Sequence, residues 1–332
     1  MSKNNCDVTV IMPCYNSELY LAEAIDSVLR QTLKKLELVV VDDCSADRTL
    51  EIAKKYREYD SRVSIISLTE NAGPASARNA AIKVARGEWI AILDSDDVAV
   101  STRLEEQVRV GQGDANFVMI ASSSISISSA GNIIKNNHYP TSHDKLVNRL
   151  LTKRAFPPHS SMLFRRSVFD FVDGFNPRFI QSEDKDLFLR FAEAGKIISI
   201  DRPLVKIRKH SHNISCADGG LLIVRMGIVS VICHYLRINN HPDPSVDYDE
   251  SQWLYFISWV NQRIEEEKFW DMCLSYDIAR SNYFTANTKA KGLYRFALSL
   301  IKASNAVPLI RYKLFGSTLP NRLAFEWLSK NN

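Results

Sequence analysis

The sequence predicts an α/β protein whose mostly parallel sheet is sandwiched by helices, with a helical appendage towards the C-terminal end. Three observations support this fold class. Over the first hundred residues, strand-like runs that are apolar on both faces alternate with helix-like stretches, a pattern typical of parallel sheets covered on both faces. The following section is more mixed, and the last is helical and aromatic. We therefore divide the chain into 1–100, 101–215 and 216–332.

Each predicted element has its own local signal. Runs rich in β-branched residues predict four strands, at 8–12, 36–41, 63–68 and 89–93. Apolar residues at helical spacing predict helices over 21–29, with Ser17 as candidate N-cap, and over 50–56, with Ser45 in that role. Farther along we expect helices over 75–85, 103–110 and 183–194, and strands over 120–128 and 197–200.

Composition and charge exclude several classes of protein. Hydrophobic residues make up 45% of the chain and charged residues 24%, which excludes wholesale disorder. The net charge of +4 is too small to argue for a nucleic-acid partner, and we expect none.

The 6 cysteines form no CxxC pair, as expected of reduced thiols in a cytoplasmic protein. The polar first residues predict no signal peptide. The apolar run 219–236 contains Arg225, so we interpret it as a buried helix rather than a membrane span.

The positive charge is concentrated near the C-terminal end. From 278 to 325 the chain has no acidic residue and 8 basic ones. These are Arg280, Lys289, Lys291, Arg295, Lys302, Arg311, Lys313 and Arg322. Apolar residues repeat at helical spacing over 293–301. Two interpretations stay open: a basic amphipathic helix on an anionic membrane surface, or a helical cap packed on the rest of the chain.

Polar residues follow all four strands of the first hundred residues. In parallel sheets covered by helices, ligands bind beyond the carboxyl ends of the strands. The polar segments are 13–16, 42–45, 71–74 and 94–97. In the last of them, Asp94 and Asp96 flank Ser95, and their carboxylates suit a hard divalent cation that shares its other positions with substrate phosphates. The alternative is a solvated acidic loop in which Asp97 caps a helix; at the edge of the sheet we favour the metal interpretation.

Further residues are candidates for binding or proton transfer, each with a plainer alternative. Asp43 can accept a hydrogen bond from a nucleobase or a ribose, or cap the following helix. Tyr15 can stack on a base or simply pack. Arg78 can bind phosphate or lie on the surface. Glu183 and Asp184 begin a predicted helix, where acids complement the helix dipole and where one of them can also act as a general base.

Five motifs in order resemble the family 2 glycosyltransferases, which have a GT-A fold and many of which build bacterial surface polysaccharides. They are VTVIMPCYNSE, VVVDDCSADRT, NAGPASARNAAI, GEWIAILDSDD, and DGF followed by SEDKDLFLR. The similarity covers about 8–215. It implies that 1–100 is the Rossmann-like, nucleotide-sugar-binding half of a GT-A domain and 101–215 its acceptor-binding, catalytic half. Neither GxGxxG after the first strand nor GxxxxGK[ST] occurs, which counts against a dinucleotide-binding dehydrogenase and a P-loop NTPase.

The resemblance implies a role for each matching nucleotide-binding residue. Pro13, Tyr15 and Glu18 correspond to the first nucleotide-binding segment, with Tyr15 against the base. Asp43 corresponds to the acid that hydrogen-bonds the base, and Arg78 to an arginine near the phosphates.

The same resemblance assigns the acids. Asp94 corresponds to the first acid of the DxD motif, near the ribose or donor sugar, with Ser95 beside it, and Asp96 to the metal ligand. Asp184 corresponds to the general base. Further possible donor or acceptor contacts are Glu183, Arg208 and His210. In the segment that contains the last two, Ile207 stands where the family has tyrosine.

The resemblance therefore implies an inverting glycosyltransferase that depends on Mn²⁺ or Mg²⁺. It would transfer a hexose or N-acetylhexosamine from a nucleoside diphosphate, UDP being favoured, to a hydroxyl of a saccharide or lipid-linked saccharide. The product would be an O-antigen, capsule or lipooligosaccharide. A non-catalytic sugar-nucleotide- or carbohydrate-binding protein of the same fold is the alternative, and the intact acidic motifs count against it. We expect a cytoplasmic protein, either free or peripheral on the inner face of the cytoplasmic membrane.

Overall fold

The computed structural model describes residues 6–152, 155–210, 221–266 and 319–331. The chain divides into two compact units, which we treat separately. The first consists of Met1–Leu150 and Arg154–Met226, and the second of Leu151–Lys153 and Gly227–Asn332. All candidate site residues named above belong to the first unit.

The first half of this unit is a parallel sheet with a helix after each of its first three strands. Its elements are β1 (Val8–Cys14), α1 (Leu21–Leu29), β2 (Leu36–Asp42), α2 (Thr49–Tyr59), β3 (Val63–Ser67), α3 (Gly73–Val84) and β4 (Trp89–Ile92). The strands lie in the order β3-β2-β1-β4, all parallel. Every residue of β2 and β4 is buried, as expected of strands in a sheet covered on both faces. The predicted alternation of strands and helices is confirmed.

The second half of the unit extends the same sheet. Its elements are β5 (Val98–Ala99), α4 (Arg103–Gly111), β6 (Phe117–Ser128), β7 (Ile133–Asn137), α5 (His143–Leu151), β8 (Leu163–Arg165), α6 (Arg166–Phe171), α7 (Glu183–Ala194) and β9 (Lys196–Lys209). One turn of 3₁₀ helix, His159–Ser161, precedes β8. β8 pairs antiparallel with β4 and β6, and β6 pairs parallel with β9. Across the described residues the sheet has nine strands.

Helices α1 and α2 begin without the serine caps that the sequence suggested. Both helices start several residues after these serines and have no side-chain cap. Ser17 Oγ instead lies 2.7 Å from Ser95 Oγ. Ser45 Oγ accepts a hydrogen bond from the backbone N–H of Asn16 at 2.9 Å. The two serines therefore join loops at the strand ends, because a hydroxyl can satisfy a neighbouring loop as readily as a helix N-terminus.

Strand β9 is much longer than the strand predicted over 197–200. It continues through charged residues and Pro203 to Lys209, and such residues mask the signal of a strand. Its register with β6 shifts where Pro203 pairs with Ser123. The irregularity lets the strand continue and brings Arg208 beside Asp97.

The described part of the second unit is helical. α8 (Leu221–Ile238) contains the boundary at residue 226 and confirms the helix predicted over 219–236; α9 (Glu250–Glu266) and α10 (Leu319–Asn331) follow. Trp327 of α10 packs on Phe256 and Trp259 of α9, with ring centroids 4.9 and 5.0 Å apart. Within the described ranges, no helix is both long and apolar enough to cross a membrane. Most of the basic segment 278–325 lies outside the described residues.

Candidate active site

The loops after β1, β2, β3 and β4 meet at the carboxyl edge of the sheet. The contact between Ser17 and Ser95 joins the first loop to the fourth. The second and third loops are joined by the backbone N–H of Ala72, which donates to Asp43 Oδ1 at 2.8 Å. The structure thus brings the four polar loops together, as the sequence predicted.

Arg78, on α3, lies at the centre of a buried ion-pair network. Its guanidinium donates through Nη1 to Glu183 Oε1 at 2.9 Å and through Nη2 to Asp94 Oδ1 at 3.2 Å. The hydroxyl of Ser160 donates to the other oxygen of Asp94, Oδ2, at 3.0 Å. The network therefore connects α3, the end of β4 and the first turn of α7. Arg78 has two carboxylate partners here, and its contact with phosphate stays a prediction.

These partners keep Asp94 ionised. Removal from water works against the charged form, but Arg78 and the Ser160 hydroxyl outweigh this effect and hold the pKa of Asp94 below its ordinary value. The side chain is still 34% exposed. Asp94 is thus a fixed negative charge that can face a ligand.

Asp184 is the second residue of α7 and is half-buried. Its Oδ1 accepts a hydrogen bond from the backbone N–H of Lys185 at 2.7 Å. Burial and the charge of Glu183 raise the pKa of Asp184 to about 6, against the opposing effects of that hydrogen bond and of Arg78. A carboxyl group with this pKa is ionised at neutral pH and is more basic than an ordinary aspartate. The role of general base suits this environment and stays a prediction.

Asp96 and His210 are the strongest candidates for metal ligands. Asp96 Oδ2 lies 2.9 Å from His210 Nε2, and the imidazole stacks on Tyr20 with ring centroids 5.3 Å apart. A carboxylate oxygen and an imidazole nitrogen that meet at one point are donors that divalent metals accept, with substrate phosphates supplying further ligands. The two residues therefore suit a divalent metal ion. In the part of the chain that the structure describes, no group of three or more ligating side chains occurs.

Arg208 is occupied by contacts within the protein and is only 2% exposed. Its Nη2 pairs with Glu23 at 2.6 Å, and its guanidinium lies over the ring of Tyr20. Its Nε donates to the backbone oxygen of Asp96, and its backbone N–H donates to Asp97 Oδ1, both at 2.9 Å. Arg208 therefore fixes the loop that contains Asp96. The alternative of a solvated loop capped by Asp97 is wrong, because that carboxylate is buried against β9.

The predicted nucleotide-binding residues differ in how much of each side chain is available. Asp43 uses both carboxylate oxygens to accept backbone N–H groups at the N-terminus of α3, at 2.8 and 3.0 Å. It caps α3 and not α2, the helix that directly follows it. Tyr15 is exposed. Glu18 accepts hydrogen bonds from the backbone and side chain of Arg48, and Pro13 lies within β1.

Sequence reasoning missed three residues of this site. Ser160 binds Asp94, and Tyr20 packs against His210. His159 lies edge-on to Phe175, with ring centroids 5.8 Å apart, and burial lowers its pKa to about 3, so its imidazole is neutral. The Pro-Pro pair at 157–158 marks a turn. Nothing in the local pattern relates that turn to β4, which ends at Ile92, 65 residues earlier.

Residues 9–172 match the family model described as Glycosyl transferase family 2. An uncharacterized glycosyltransferase of Methanocaldococcus jannaschii is 32% identical over 204 residues, which cover 60% of this chain and 70% of that protein. The hyaluronan synthase of Pasteurella multocida is 30% identical over 216 residues, 64% of this chain but only 22% of that protein. This chain belongs to glycosyl transferase family 2.

Two solved structures share the fold. TarS of S. aureus in complex with UDP has a TM-score of 0.57 at 18% identity, with 98% of this chain and 92% of that one covered. The mannosyltransferase PcManGT of Pyrobaculum calidifontis, in complex with GDP-Man and Mn²⁺, has a TM-score of 0.51 at 19% identity, with 97% and 83% covered. At such identities the likeness concerns the fold, and the predicted GT-A fold is confirmed.

Proposed function

We propose that this glycosyltransferase moves a sugar from a UDP-sugar donor to a hydroxyl of a saccharide or lipid-linked saccharide, with inversion, in bacterial surface-polysaccharide synthesis. The observation that carries the proposal is the ion-pair network around Arg78. It connects an ionised acid at the end of β4, Asp94, to Glu183 at the start of α7, the helix that also presents the more basic carboxylate of Asp184. A relative named as a hyaluronan synthase supports the polysaccharide setting.

Asp184 is the proposed general base. Its carboxylate would take the proton of the acceptor hydroxyl as that oxygen attacks C1 of the donor sugar, opposite the leaving diphosphate. Such proton transfer typically contributes about 10²–10⁴-fold to the rate. One base and one direct displacement invert the anomeric centre, whereas a covalent intermediate would retain it.

The leaving diphosphate requires positive charge. Asp96 and His210 would hold a divalent metal, which when bound neutralises charge on the diphosphate. Arg208 supports both ligands: its Nε holds the Asp96 backbone, and Tyr20 lies against both the Arg208 guanidinium and the His210 ring. Asp94 is held by Arg78 and Ser160 and would meet a ribose or sugar hydroxyl.

The nucleobase of the sugar donor would lie against Tyr15. An exposed aromatic ring at a strand end offers a stacking surface. Asp43, whose oxygens both accept backbone N–H groups, has spare lone pairs for a base N–H. The UDP complex of TarS supports uridine among the possible nucleotides.

Calorimetric titration of UDP, GDP and dTDP, with Mn²⁺ and again with chelator, tests the donor site. We expect UDP to bind with Mn²⁺ and to bind at least tenfold more weakly after chelation, because diphosphate and metal share the site. Asp96→Ala should abolish this metal dependence, whereas Asp144→Ala, on the exposed surface of α5, should not.

Binding of no nucleotide in either condition would contradict the donor site. Binding without turnover on any saccharide acceptor would favour the non-catalytic alternative. Binding of GDP or dTDP in place of UDP would keep the mechanism and change the donor.

A further inference from the structure

The turn around Asp173, Gly174 and Phe175 is part of a sequence motif, yet none of its residues has a role in the proposed chemistry. Asp173 and Gly174 have φ angles of 60° and 67°. This left-handed conformation suits Gly174, and an added Cβ there would meet the Phe169 ring at 2.8 Å. The turn is therefore built to place the next residue, Phe175, in one orientation.

Asn79, on α3 beside Arg78, holds that residue. Its Nδ2 donates to the carbonyl of Phe175 at 2.8 Å, and its Oδ1 accepts the N–H of Phe175 at 3.0 Å. The amide thus pairs with the backbone of Phe175 as a neighbouring strand would.

The Phe175 ring is buried within the site. It is 1% exposed, and the Arg78 guanidinium lies 5.6 Å from its centroid. The neutral ring of His159 meets it edge-on. Phe175 therefore packs against the arginine that bridges Asp94 and Glu183.

The same turn is also held from the side of α7. Arg190 donates to the carbonyl of Val172, directly before the turn, and pairs with Asp186 one turn earlier on α7 at 2.6 Å. The turn is thus bonded to α3 through Asn79 and to α7 through Arg190. α3 provides Arg78, and α7 provides Asp184.

We propose that Asn79 is a positioning residue, which locks the Phe175 backbone and so fixes α7 and Asp184 relative to the donor site. The inference rests on the proposed function. Losing the lock leaves the nucleotide loops intact, since neither hydrogen bond of Asn79 goes to them. Losing the lock loosens α7, the helix that presents the proposed general base Asp184. A displacement of about 1 Å in a reacting group can reduce a rate by about 10²-fold.

Steady-state kinetics of Asn79→Ala in the full chain test the inference. We expect kcat to fall about 10- to 100-fold, with the donor KM within about threefold of the wild-type value because the donor loops are unchanged. Asn79→Asp keeps the size of the side chain but sets a carboxylate oxygen against the Phe175 carbonyl, so we expect at least the same loss. Asn137→Ala is the matched control: it removes two amide hydrogen bonds, to Ser124 and Ser126, between β6 and β7, and should leave kcat unchanged.

Hydrogen exchange gives a second measurement that needs no turnover. Asn79→Ala should accelerate amide exchange in the peptide 173–186 at least tenfold relative to wild type, and Asn137→Ala should not. If the wild-type protein had no transferase activity, the proposed function would be contradicted. The exchange measurement would still show whether Asn79 holds the backbone of Phe175. Unchanged exchange, a kcat equal to that of the control, or loss of folding in both Asn79 variants would overturn the inference.

Discussion

Asp184 shows how a side chain acquires a catalytic character from its neighbours. It stands in the first turn of a helix, where the dipole alone would favour an ordinary ionised acid. Burial and the adjacent Glu183 act in the opposite direction and raise its pKa to about 6, while Arg78 limits the rise. Of the two neighbouring acids, Glu183 therefore pairs with Arg78, and Asp184 is the more basic carboxylate.

Asp184→Asn should reduce kcat by about 10²–10⁴-fold, since the amide cannot accept the proton. Donor binding, measured by calorimetry, should stay near the wild-type value. Asp170→Asn, at an exposed position of α6, is the control. If Asp184→Asn transferred sugar at more than a tenth of the wild-type rate, Asp184 would not be the general base.

The pH dependence follows from the same group. Because Asp184 acts in its ionised form and its pKa is raised to about 6, kcat should be constant above that pH and fall about tenfold per unit below it. An ordinary aspartate would keep full activity down to about pH 4. A kcat profile that is level from pH 7 to 5 would show that the base is a different group.

Several of these residue properties could be predicted from sequence, and others could not. The acids after β4 and at the start of α7 stand in motifs with recognisable spacing. The contacts of Ser160 with Asp94 and of Asn79 with Phe175 join residues 66 and 96 positions apart. No periodicity reports such distances, so the partners of each acid, and therefore their pKa values, required the structure.

At the scale of elements, α4 locks together the strands that support the site. Arg103 is 1% exposed and donates to the carbonyls of Ile92 and Met162, both at 3.0 Å. Gln107, one turn along, donates to the carbonyls of Ile120 and Ser161. Two buried side chains of one helix therefore satisfy carbonyls on β4, on β6 and directly before β8.

Arg103→Met should destabilise the fold by about 2–4 kcal/mol, because buried carbonyls lose their charged donor. Urea unfolding gives the free energy of unfolding. The matched control is Arg109→Met, at an exposed position of the same helix, which should change it by less than about 0.5 kcal/mol. Equal effects of the two substitutions would contradict the role of Arg103.

Elements themselves were predicted unevenly. Runs apolar on both faces identified β1 to β4, and the acidic start and apolar stripe identified α7. The second half of β9 was missed because charged residues and Pro203 are typical of loops. The N-caps of α1 and α2 were assigned wrongly because Ser17 and Ser45 hydrogen-bond to neighbouring loops.

At the scale of the whole molecule, positive charge is concentrated towards the C-terminal end. The 8 basic residues of 278–325 lie mostly outside the described residues, and peripheral membrane association stays a prediction. Each basic residue near an anionic surface contributes about 1 kcal/mol. The full chain should therefore bind vesicles containing anionic lipid at low salt and dissociate as salt is raised.

Charge reversal locates that binding. Lys289→Glu, Lys291→Glu and Arg295→Glu together should weaken vesicle affinity at least 100-fold in a sedimentation assay, since three attractions become repulsions. The control is the triple substitution Lys35→Glu, Lys54→Glu and Lys83→Glu, at exposed positions of the first unit. Similar losses in both variants would indicate a non-specific charge effect, and no binding by wild type would leave the alternative of a packed cap.

The order of strands in the sheet has a consequence for synthesis on the ribosome. β4 is buried throughout and pairs with β8, which begins about 70 residues after β4 ends. At about 5–20 residues per second, the nascent chain exposes that apolar edge for roughly 4–14 seconds before its partner emerges. During this interval an unpaired strand can join another chain as readily as its own. The yield of folded protein in a cell should accordingly depend on translation speed between β4 and β8 and on the chaperones that shield the edge.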